Sequence, residues 1–307
     1  MRTLIIGAGA VGGYFGGHLA AAGRDVTFLV RGKRAQDLTA QGLRIRSLRG
    51  DLIVTPKLIS AEDIEKPFDL VFVSVKAYAL SAAMEDFAAA VGPQTVILPV
   101  LNGMRHMEML ARRFGAGPVM GGVCRIVTVL DDNGYIVQMA DLLELKYGEL
   151  DGTTTPRLQA LDATLRWDGF QAQQSPDIVQ AMWEKWVQLA SIGAATGLLR
   201  GTIGDIAAVP GGAGLTLGLL HECAAVASAC GHEPSAAFLA QQTAALTAQG
   251  SPLVSSMYRD LIKGARVEVD QILGDLLDRG RVHGVSTTLL QAAFVNLRIY
   301  QARVTRH

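Results

Sequence analysis

Short apolar runs alternate with longer helical periods over the first half of the chain. Apolar runs at residues 4–6, 25–30, 70–75 and 95–100 predict buried strands. Helical periods follow them, one through residues 18–22 that ends at Gly23 and another over residues 79–91. Strands that alternate with helices are typical of parallel βαβ units, whose ligands bind beyond the carboxyl ends of the strands.

The later pattern changes from mixed to helical. Residues 43–58 alternate apolar and basic positions around a turn at 49–51, which predicts a hairpin. Further strands are predicted over 119–129, 135–139, 142–147 and 170–174, with a helix over 156–166. Helical periods then cover 178–196, 215–230, 235–248, 267–279 and 287–303. We predict an α/β protein: an N-terminal Rossmann-type doubly wound sheet (residues 1–175) followed by an all-helical C-terminal domain (176–307).

A glycine-rich turn follows the first predicted strand. Gly7, Gly9 and Gly12 form the pattern G-x-G-x-x-G between a strand and a helix. In dinucleotide-binding folds these glycines allow a tight turn, close approach to a pyrophosphate, and packing of the helix on the sheet. The helix N-terminus adds free N–H groups for the phosphates. The residues predicted to hold the cofactor here are Gly7, Ala8, Gly9, Ala10, Val11 and Gly12.

The end of the second predicted strand indicates which nicotinamide cofactor binds. Arg31 stands where an NAD enzyme would place an acid for the ribose 2′-hydroxyl, and Lys33 and Arg34 follow it. A base at this position accommodates a 2′-phosphate, and the first acid after Arg31 is Asp37. NADP (NADPH) is therefore the predicted cofactor. The alternative is a solvated basic loop without a ligand.

Composition and charge narrow the class of protein. The chain has 307 residues, half of them hydrophobic, and 28 acidic residues balance 28 basic ones. A neutral chain gives no reason to expect nucleic acid or an anionic membrane surface as partner, and no apolar stretch is long enough to span a membrane. The N-terminus imitates a signal peptide, but six glycines between Gly7 and Gly17 would weaken such a helix.

Three scattered cysteines fit a reducing compartment, so we expect a cytoplasmic protein. Two of them, Cys223 and Cys230, lie near His221 and His232, and a zinc site is the alternative reading of this group. Zinc sites use tighter paired spacing, so we predict buried cysteines and no metal.

Several polar residues are candidates for chemistry, each with a structural alternative. Lys76 and Asn102 follow strands and share the sheet edge that carries the glycine turn, although a lysine there is usually solvated and Asn-Gly is usually a turn. Lys185 lies between two tryptophans, which would lower a lysine pKa by desolvation, or on a wet helix face. Ser256 and Glu268 either act on a ligand or serve a helix N-terminus.

The order of these motifs resembles the ketopantoate reductase family (2-dehydropantoate 2-reductases) along nearly the whole chain. The matching motifs are GAGAVG at 7–12, VRGKR at 30–34, VSVKAY at 73–78, LNGM at 101–104, MWEKW at 182–186, SSMYRD at 255–260 and EVDQILG at 268–274. The resemblance implies NADPH-dependent reduction of a 2-oxo acid, with 2-dehydropantoate as default substrate, pantoate as product and pantothenate biosynthesis as the setting.

The resemblance also implies roles for single residues. Lys185 would be the general acid that protonates the ketone oxygen, and Glu268 would orient it. Asn102, Lys185 and Ser256 would contact the substrate, Asn102 and Ser256 by hydrogen bonds. Asn102 and Lys76 would also belong to the cofactor site, with Lys76 beside the nicotinamide ribose. We expect the small-molecule substrate in a cleft between the two domains. The assembly state stays open, with a homodimer as one alternative.

The chain departs from the family pattern on the helix of Lys185. Leu189 and Gly193 stand where family members have substrate-binding asparagines, one and two turns after the lysine. A pocket without these partners should select a hydroxylated substrate weakly, which predicts an altered, more apolar 2-oxo acid. Two further alternatives are a related NADP-dependent dehydrogenase for a hydroxy acid or amino-acid derivative, and a decayed NADP(H)-binding sensor.

Overall fold

The apolar runs of the first half form parallel strands in the computed structural model, which describes residues 1–305. The strands are β1 (Thr3–Ile6), β2 (Val26–Leu29), β3 (Leu43–Arg46), β4 (Leu52–Val54), β5 (Lys57–Ile59), β6 (Leu70–Val73), β7 (Val96–Pro99), β8 (Gly121–Leu130), β9 (Tyr135–Gly148) and β10 (Gln173–Gln174). The first sheet has the order β5-β2-β1-β6-β7, and all its strand pairs are parallel. The strand order reverses at β1, which places the switch point of the sheet at the glycine turn.

The central strands are buried on both faces, as parallel strands covered by helices must be. Successive side chains of β1 point to opposite sides, so Ile5 belongs to one apolar core and Leu4 and Ile6 to another. Every residue of β1, β6 and β7 is buried. This burial explains why these strands are continuous apolar runs in the sequence.

A second sheet contains strands that the local pattern predicted less well. Its order is β10-β9-β3-β4, with β8 paired to β9. The predicted hairpin over 43–58 is correct only to residue 54, because β5 leaves it and pairs with β2 in the first sheet. The predicted break at Ala140-Asp141 is wrong, because β9 runs without interruption from Tyr135 to Gly148.

The remaining chain is helical, apart from short turns. The helices are α1 (Ala10–Ala21), α2 (Gly32–Gln41), α3 (Leu80–Asp86), α4 (Arg105–Phe114), α5 (Pro156–Thr164), α6 (Ile178–Leu199), α7 (Ile203–Ala208), α8 (Gly212–Ala229), α9 (Ala236–Leu246), α10 (Ser256–Ile262), α11 (Asp275–Val282) and α12 (Thr288–Val304). The predicted helix over 267–279 begins instead with a π-helical turn, Asp270–Gly274, which continues into α11. The α/β fold class is confirmed by this architecture.

The described chain divides into two compact units. One contains Met1–Leu101 and His106–Val179, and the other contains Asn102–Arg105 and Gln180–His307. The second unit is therefore discontinuous, since four residues that follow β7 belong to the helical part of the molecule. No helix within residues 1–305 is both long enough and apolar enough to cross a bilayer.

Candidate functional site

The glycine turn joins β1 to α1 in the first unit. Gly7 has a positive φ of 96°, which L-residues rarely adopt. A Cβ on Gly12 would lie 2.1 Å from the Ser74 Oγ and 2.2 Å from the Gly7 carbonyl oxygen, so only glycine fits. A Cβ on Gly9 would meet no described atom within 4 Å, which leaves open space above the turn. The first turn of α1 has no acidic residue to oppose an anion at its N-terminus.

Ser74 holds this turn in place, and sequence reasoning missed it. Its hydroxyl oxygen lies 3.0 Å from the Ile6 carbonyl oxygen and 3.1 Å from the Gly7 carbonyl oxygen, to which it can donate. The signal was available, because Ser74 follows β6 inside the motif that carries Lys76. Lys76 lies two residues after Ser74, at the N-terminal end of a short 3₁₀ turn, and is partly exposed.

A cavity of about 360 Å³ opens beside the turn, at the carboxyl ends of β1 and β2. Its walls include Gly7, Ala8, Arg31 and Arg34, together with Val75, the neighbour of Lys76. The structure thus brings Arg31 together with the glycine turn. A cavity at the switch point of a parallel sheet is where nucleotides bind in such folds.

The two arginines of this cavity differ in environment. The Arg31 side chain is 70% exposed, and its Nη1 lies 3.1 Å from the Asp86 Oδ2. Arg34 is half-buried and donates from Nε to the Ala8 carbonyl oxygen at 2.9 Å. Its Nη2 is buried without a hydrogen-bond partner in the described structure, and burial lowers the pKa of the Arg34 guanidinium. Arg34 was noticed in the sequence only as part of a basic run.

These features suit the phosphates of a dinucleotide. Open space above Gly9 and the uncapped start of α1 suit a pyrophosphate. Arg31 and Arg34 add two positively charged side chains to the wall of the cavity.

In the second unit, helix α6 carries Lys185. Lys185 is only 7% exposed, so it does not lie on a solvent-exposed helix face. Trp183 stacks on His232 with ring centroids 5.0 Å apart, and Trp186 is almost fully buried. Glu184 accepts from the Ser235 backbone N–H at 3.0 Å, which ties α6 to the start of α9.

Glu268 lies directly before the short helical stretch that leads into the π turn. It is 5% exposed, and its backbone carbonyl accepts from the Ile272 N–H at 3.0 Å. The Val267 N–H donates to the Gln301 Oε1 at 2.8 Å, and this bond ties the residue before Glu268 to α12. The apolar face predicted for this helix is buried; it comprises Val269, Ile272, Leu273, Leu276 and Leu277. π-helical turns occur frequently at functional sites.

Three of the sequence motifs meet at Trp186. The Trp186 indole N–H donates to the Ile272 carbonyl oxygen at 2.9 Å. A Cβ on Gly103 would lie 2.7 Å from the Gln271 carbonyl oxygen and 3.8 Å from the Trp186 Nε1. The structure therefore brings Gly103 and Trp186, the neighbours of Asn102 and Lys185, against the turn that begins two residues after Glu268. Sequence reasoning missed the role of Trp186 in this arrangement.

The start of α10 packs on the same helix further along. The Ser255 side chain accepts from the Tyr258 N–H at 2.9 Å and lies 3.1 Å from the Thr196 hydroxyl, which makes Ser255 the helix cap. Ser256, the predicted substrate ligand, is the first residue of α10 and is partly exposed. A Cβ on Gly193 would lie 2.8 Å from the Met257 Cε. A methionine methyl group thus occupies the space beside Gly193.

The cysteine and histidine group of the second unit gives no metal site. Within residues 1–305, no cluster of three or more His, Cys, Asp or Glu side chains has the arrangement to bind a metal ion. Cys223 is completely buried, and burial raises the pKa of its thiol to about 12. Cys230 is only partly buried, unlike the prediction, because it caps the end of α8.

Comparisons with known proteins bear on both units. The family profile for ketopantoate reductase PanE/ApbA matches residues 3–152, and its C-terminal counterpart matches residues 177–301. The uncharacterized oxidoreductase YkpB of Bacillus subtilis is 34% identical over 98% of this chain and 99% of its own length. The crystal structure of 2-dehydropantoate 2-reductase from Geobacter metallireducens has a TM-score of 0.88 at 28% identity, covering 97% of this chain and 99% of its own.

A more distant structure shares the fold. It is a ternary structure of D-mandelate dehydrogenase with NADH and anilino(oxo)acetate, with a TM-score of 0.88 at 20% identity. It covers 99% of this chain and 100% of its own.

Proposed function

Because the chain belongs to the ketopantoate reductase family, a group of oxidoreductases that act on CH–OH groups, we propose that it reduces a 2-oxo acid to a 2-hydroxy acid with NADPH. The observation that carries this proposal is the arrangement around Trp186. It joins the buried helix of Lys185 to the turn that follows Glu268 and to the loop of Asn102. These are the three elements from which the resemblance expects catalysis and substrate binding.

The choice of NADPH rests on the cavity beside the glycine turn. Arg31 and Arg34 both line it, and two positively charged side chains favour a cofactor that carries the additional 2′-phosphate. Lys76 follows Val75, which also lines the cavity, and this supports a position for Lys76 beside the nicotinamide ribose. When bound, NADPH supplies the hydride that reduces C2 of the oxo acid.

Lys185 is the proposed general acid. Hydride addition to a ketone builds negative charge on the carbonyl oxygen, which a nearby cation stabilises and then protonates. Lys185 is only 7% exposed, and in a site with little water the interaction of a cation with the developing oxyanion is stronger. Glu268 orients the Lys185 side chain, and Asn102 and Ser256 hydrogen-bond the substrate.

The default substrate is 2-dehydropantoate, which gives pantoate for pantothenate biosynthesis. A second candidate is a more apolar 2-oxo acid, because Leu189 and Gly193 replace two polar partners and the Met257 methyl group fills the space at the second. The D-mandelate dehydrogenase structure contains anilino(oxo)acetate, an oxo acid with an aromatic substituent, in the same fold. We place the enzyme in the cytoplasm, as a monomer or a homodimer.

The test is NADPH oxidation with a panel of 2-oxo acids that includes 2-dehydropantoate and branched or aromatic analogues. Lys185→Ala should lower kcat by roughly 10²–10⁴-fold, the contribution of a positioned general acid. Lys263→Ala, at an exposed lysine of the same unit, is the matched control and should retain full activity. Turnover that survives Lys185→Ala would refute the assigned role.

The substrate panel separates the candidates. Strong selectivity for 2-dehydropantoate would support the default substrate, and faster turnover of apolar oxo acids would support the second. In the second case Leu189→Asn should shift kcat/KM toward the hydroxylated substrate, since it restores a hydrogen-bonding group one turn after Lys185. NADPH binding without turnover of any oxo acid would instead favour an NADP(H)-binding sensor.

A further inference from the structure

We propose that Arg259 binds the carboxylate of the 2-oxo acid, together with Ser256, and thereby limits the substrates to those with a negative charge beside the reacting carbonyl group. This inference rests on the reduction proposed above. It adds a charged side chain to the hydroxyl group of Ser256, the one residue of the motif SSMYRD that the proposed function uses.

Arg259 differs from the other partly buried arginines of residues 1–305. Each of the others has a carboxylate or a backbone carbonyl oxygen as partner; they are Arg34, Arg44, Arg125, Arg157 and Arg279. The Arg259 guanidinium group has neither an ion pair nor a hydrogen bond within this part of the chain. A partly buried cation without an acceptor is costly, because it has lost water without a replacement. An anionic ligand would supply the missing acceptor.

The guanidinium group of Arg259 is also accessible to a ligand. The fully buried nitrogen atoms that lack a partner belong to other residues, so the nitrogen atoms of Arg259 keep accessible surface. Burial is the first cause that lowers the pKa of Arg259, and the neighbouring Asp260 opposes this effect. An arginine remains charged at neutral pH all the same. Arg259 is therefore a cation that has lost part of its hydration and can still meet an anion.

Helix α10 presents Arg259 and Ser256 on one face. The two residues are three positions apart, and both are partly exposed. Met257 and Leu261 form the buried face of the same helix. A guanidinium group and a hydroxyl group on successive turns can donate to the two oxygens of one carboxylate.

Both ends of α10 are anchored, which holds this face in a fixed orientation. At its start, the Ser255 hydroxyl oxygen lies 3.1 Å from that of Thr196 on α6. At its end, the Tyr300 hydroxyl group donates to the Leu261 carbonyl oxygen at 3.1 Å. Because α6 also carries Lys185, the proposed general acid and the proposed carboxylate site belong to two helices that pack together.

A carboxylate contact at Arg259 agrees with the loss of polar groups on α6. Leu189 and Gly193 have no side-chain group that could hydrogen-bond the variable part of a substrate. The carboxylate, in contrast, is common to every 2-oxo acid. Recognition through this charged group would permit different side chains and would disfavour neutral carbonyl compounds.

The experiment compares a 2-oxo acid with its own methyl ester as substrates of the full chain with NADPH. The acid is the branched or aromatic member of the panel above that wild type reduces fastest. The measured quantity is the ratio of kcat/KM for the acid to that for the ester, because effects on NADPH, on Lys185 and on folding are common to both. Wild type should prefer the acid.

Arg259→Gln should reduce this preference about tenfold or more, through a higher KM for the acid, as expected for a lost charge-assisted hydrogen bond. Turnover of the ester should stay near that of wild type, which also shows that the variant is folded. Lys263→Gln is the matched control, since it removes the same charge at an exposed position at the end of the same helix. It should change the ratio by about twofold at most.

Arg259→Lys keeps the charge without the fork of donors and should retain an intermediate preference, and it serves if Arg259→Gln does not fold. The inference is overturned if Arg259→Gln leaves the ratio unchanged or slows acid and ester equally, since Arg259 would then have no role or only a structural one. It is also overturned if wild type reduces acid and ester equally well. Wild type that reduces no 2-oxo acid would refute the proposed reduction itself, and this inference with it.

Discussion

Replacing Trp186 by phenylalanine tests whether the three motifs depend on one hydrogen bond. The change removes the indole N–H that reaches the Ile272 carbonyl at 2.9 Å and leaves an aromatic ring in place. A buried carbonyl that loses its donor costs about 1–3 kcal/mol. The smaller ring adds roughly 1 kcal/mol for lost packing at a residue that is 1% exposed. We therefore expect the free energy of unfolding to fall by about 2–4 kcal/mol.

The same change should also slow catalysis. The Trp186 bond fixes the turn after Glu268 against the residue next to Lys185, and displacement of catalytic groups by about 1 Å can cost on the order of 10²-fold in rate. Urea unfolding followed by circular dichroism gives the stability, and steady-state kinetics gives kcat and the KM for NADPH. We expect kcat to fall while the KM for NADPH stays unchanged.

Trp183→Phe is the matched control, because Trp183 is equally buried on the same helix and its ring stacks on His232. It should lose packing energy but leave kcat near that of wild type. If the two variants lose the same stability and neither changes kcat, the Trp186 bond has no special role and the reasoning is refuted.

Two further predictions concern a glycine and a histidine. Gly103→Ala should lower kcat and destabilise the protein by more than Gly264→Ala does, as measured by kinetics and thermal melts. Both glycines have a positive φ, which costs roughly 1–2 kcal/mol when the residue has a side chain. Only at Gly103 would the added Cβ lie 2.7 Å from a backbone oxygen. Equal effects of the two changes would argue against the close contact. Burial, with a smaller effect of Arg49, lowers the pKa of His18 to about 4, whereas an unfolded chain protonates it near 6.5. The unfolded state then binds more protons, so stability should decline as the pH falls from about 6.5 to about 4. His18→Phe keeps a ring on Trp167 and should flatten that decline in denaturation midpoints; an unchanged slope would contradict the assignment.

Local patterns were sufficient for the central strands of the first sheet. β1, β6 and β7 are buried on both faces, so each is an uninterrupted apolar run in the sequence. Helices α2 and α4 were not predicted, because both are strongly polar. The buried residue of α2 is Leu38, and those of α4 are His106 and Leu110. Their polar composition, and not the lack of a helical period, makes them easy to miss, because neither contains an apolar run.

Long-range pairing explains the other differences between the predicted and the observed elements. β5 has the local pattern of a returning hairpin strand, but its partner is β2, about thirty positions earlier in register. The same limit applies to the candidate site: Trp186 and Ile272 are 86 positions apart, and no spacing rule connects them. Residue types and motif order indicated Lys185 and Glu268, whereas the contacts around them follow only from the folded chain.

The four residues Asn102–Arg105 have a consequence for exchanging parts between relatives. A chimera that takes residues 180–307 from another family member would bring foreign partners for Gly103, whose space is bounded by Gln271 and Trp186. Recombination at a single point near residue 175 therefore separates a loop from the helices to which it belongs. A functional chimera needs two additional crossovers, one on each side of Asn102–Arg105, so that this loop and the helical unit come from the same parent.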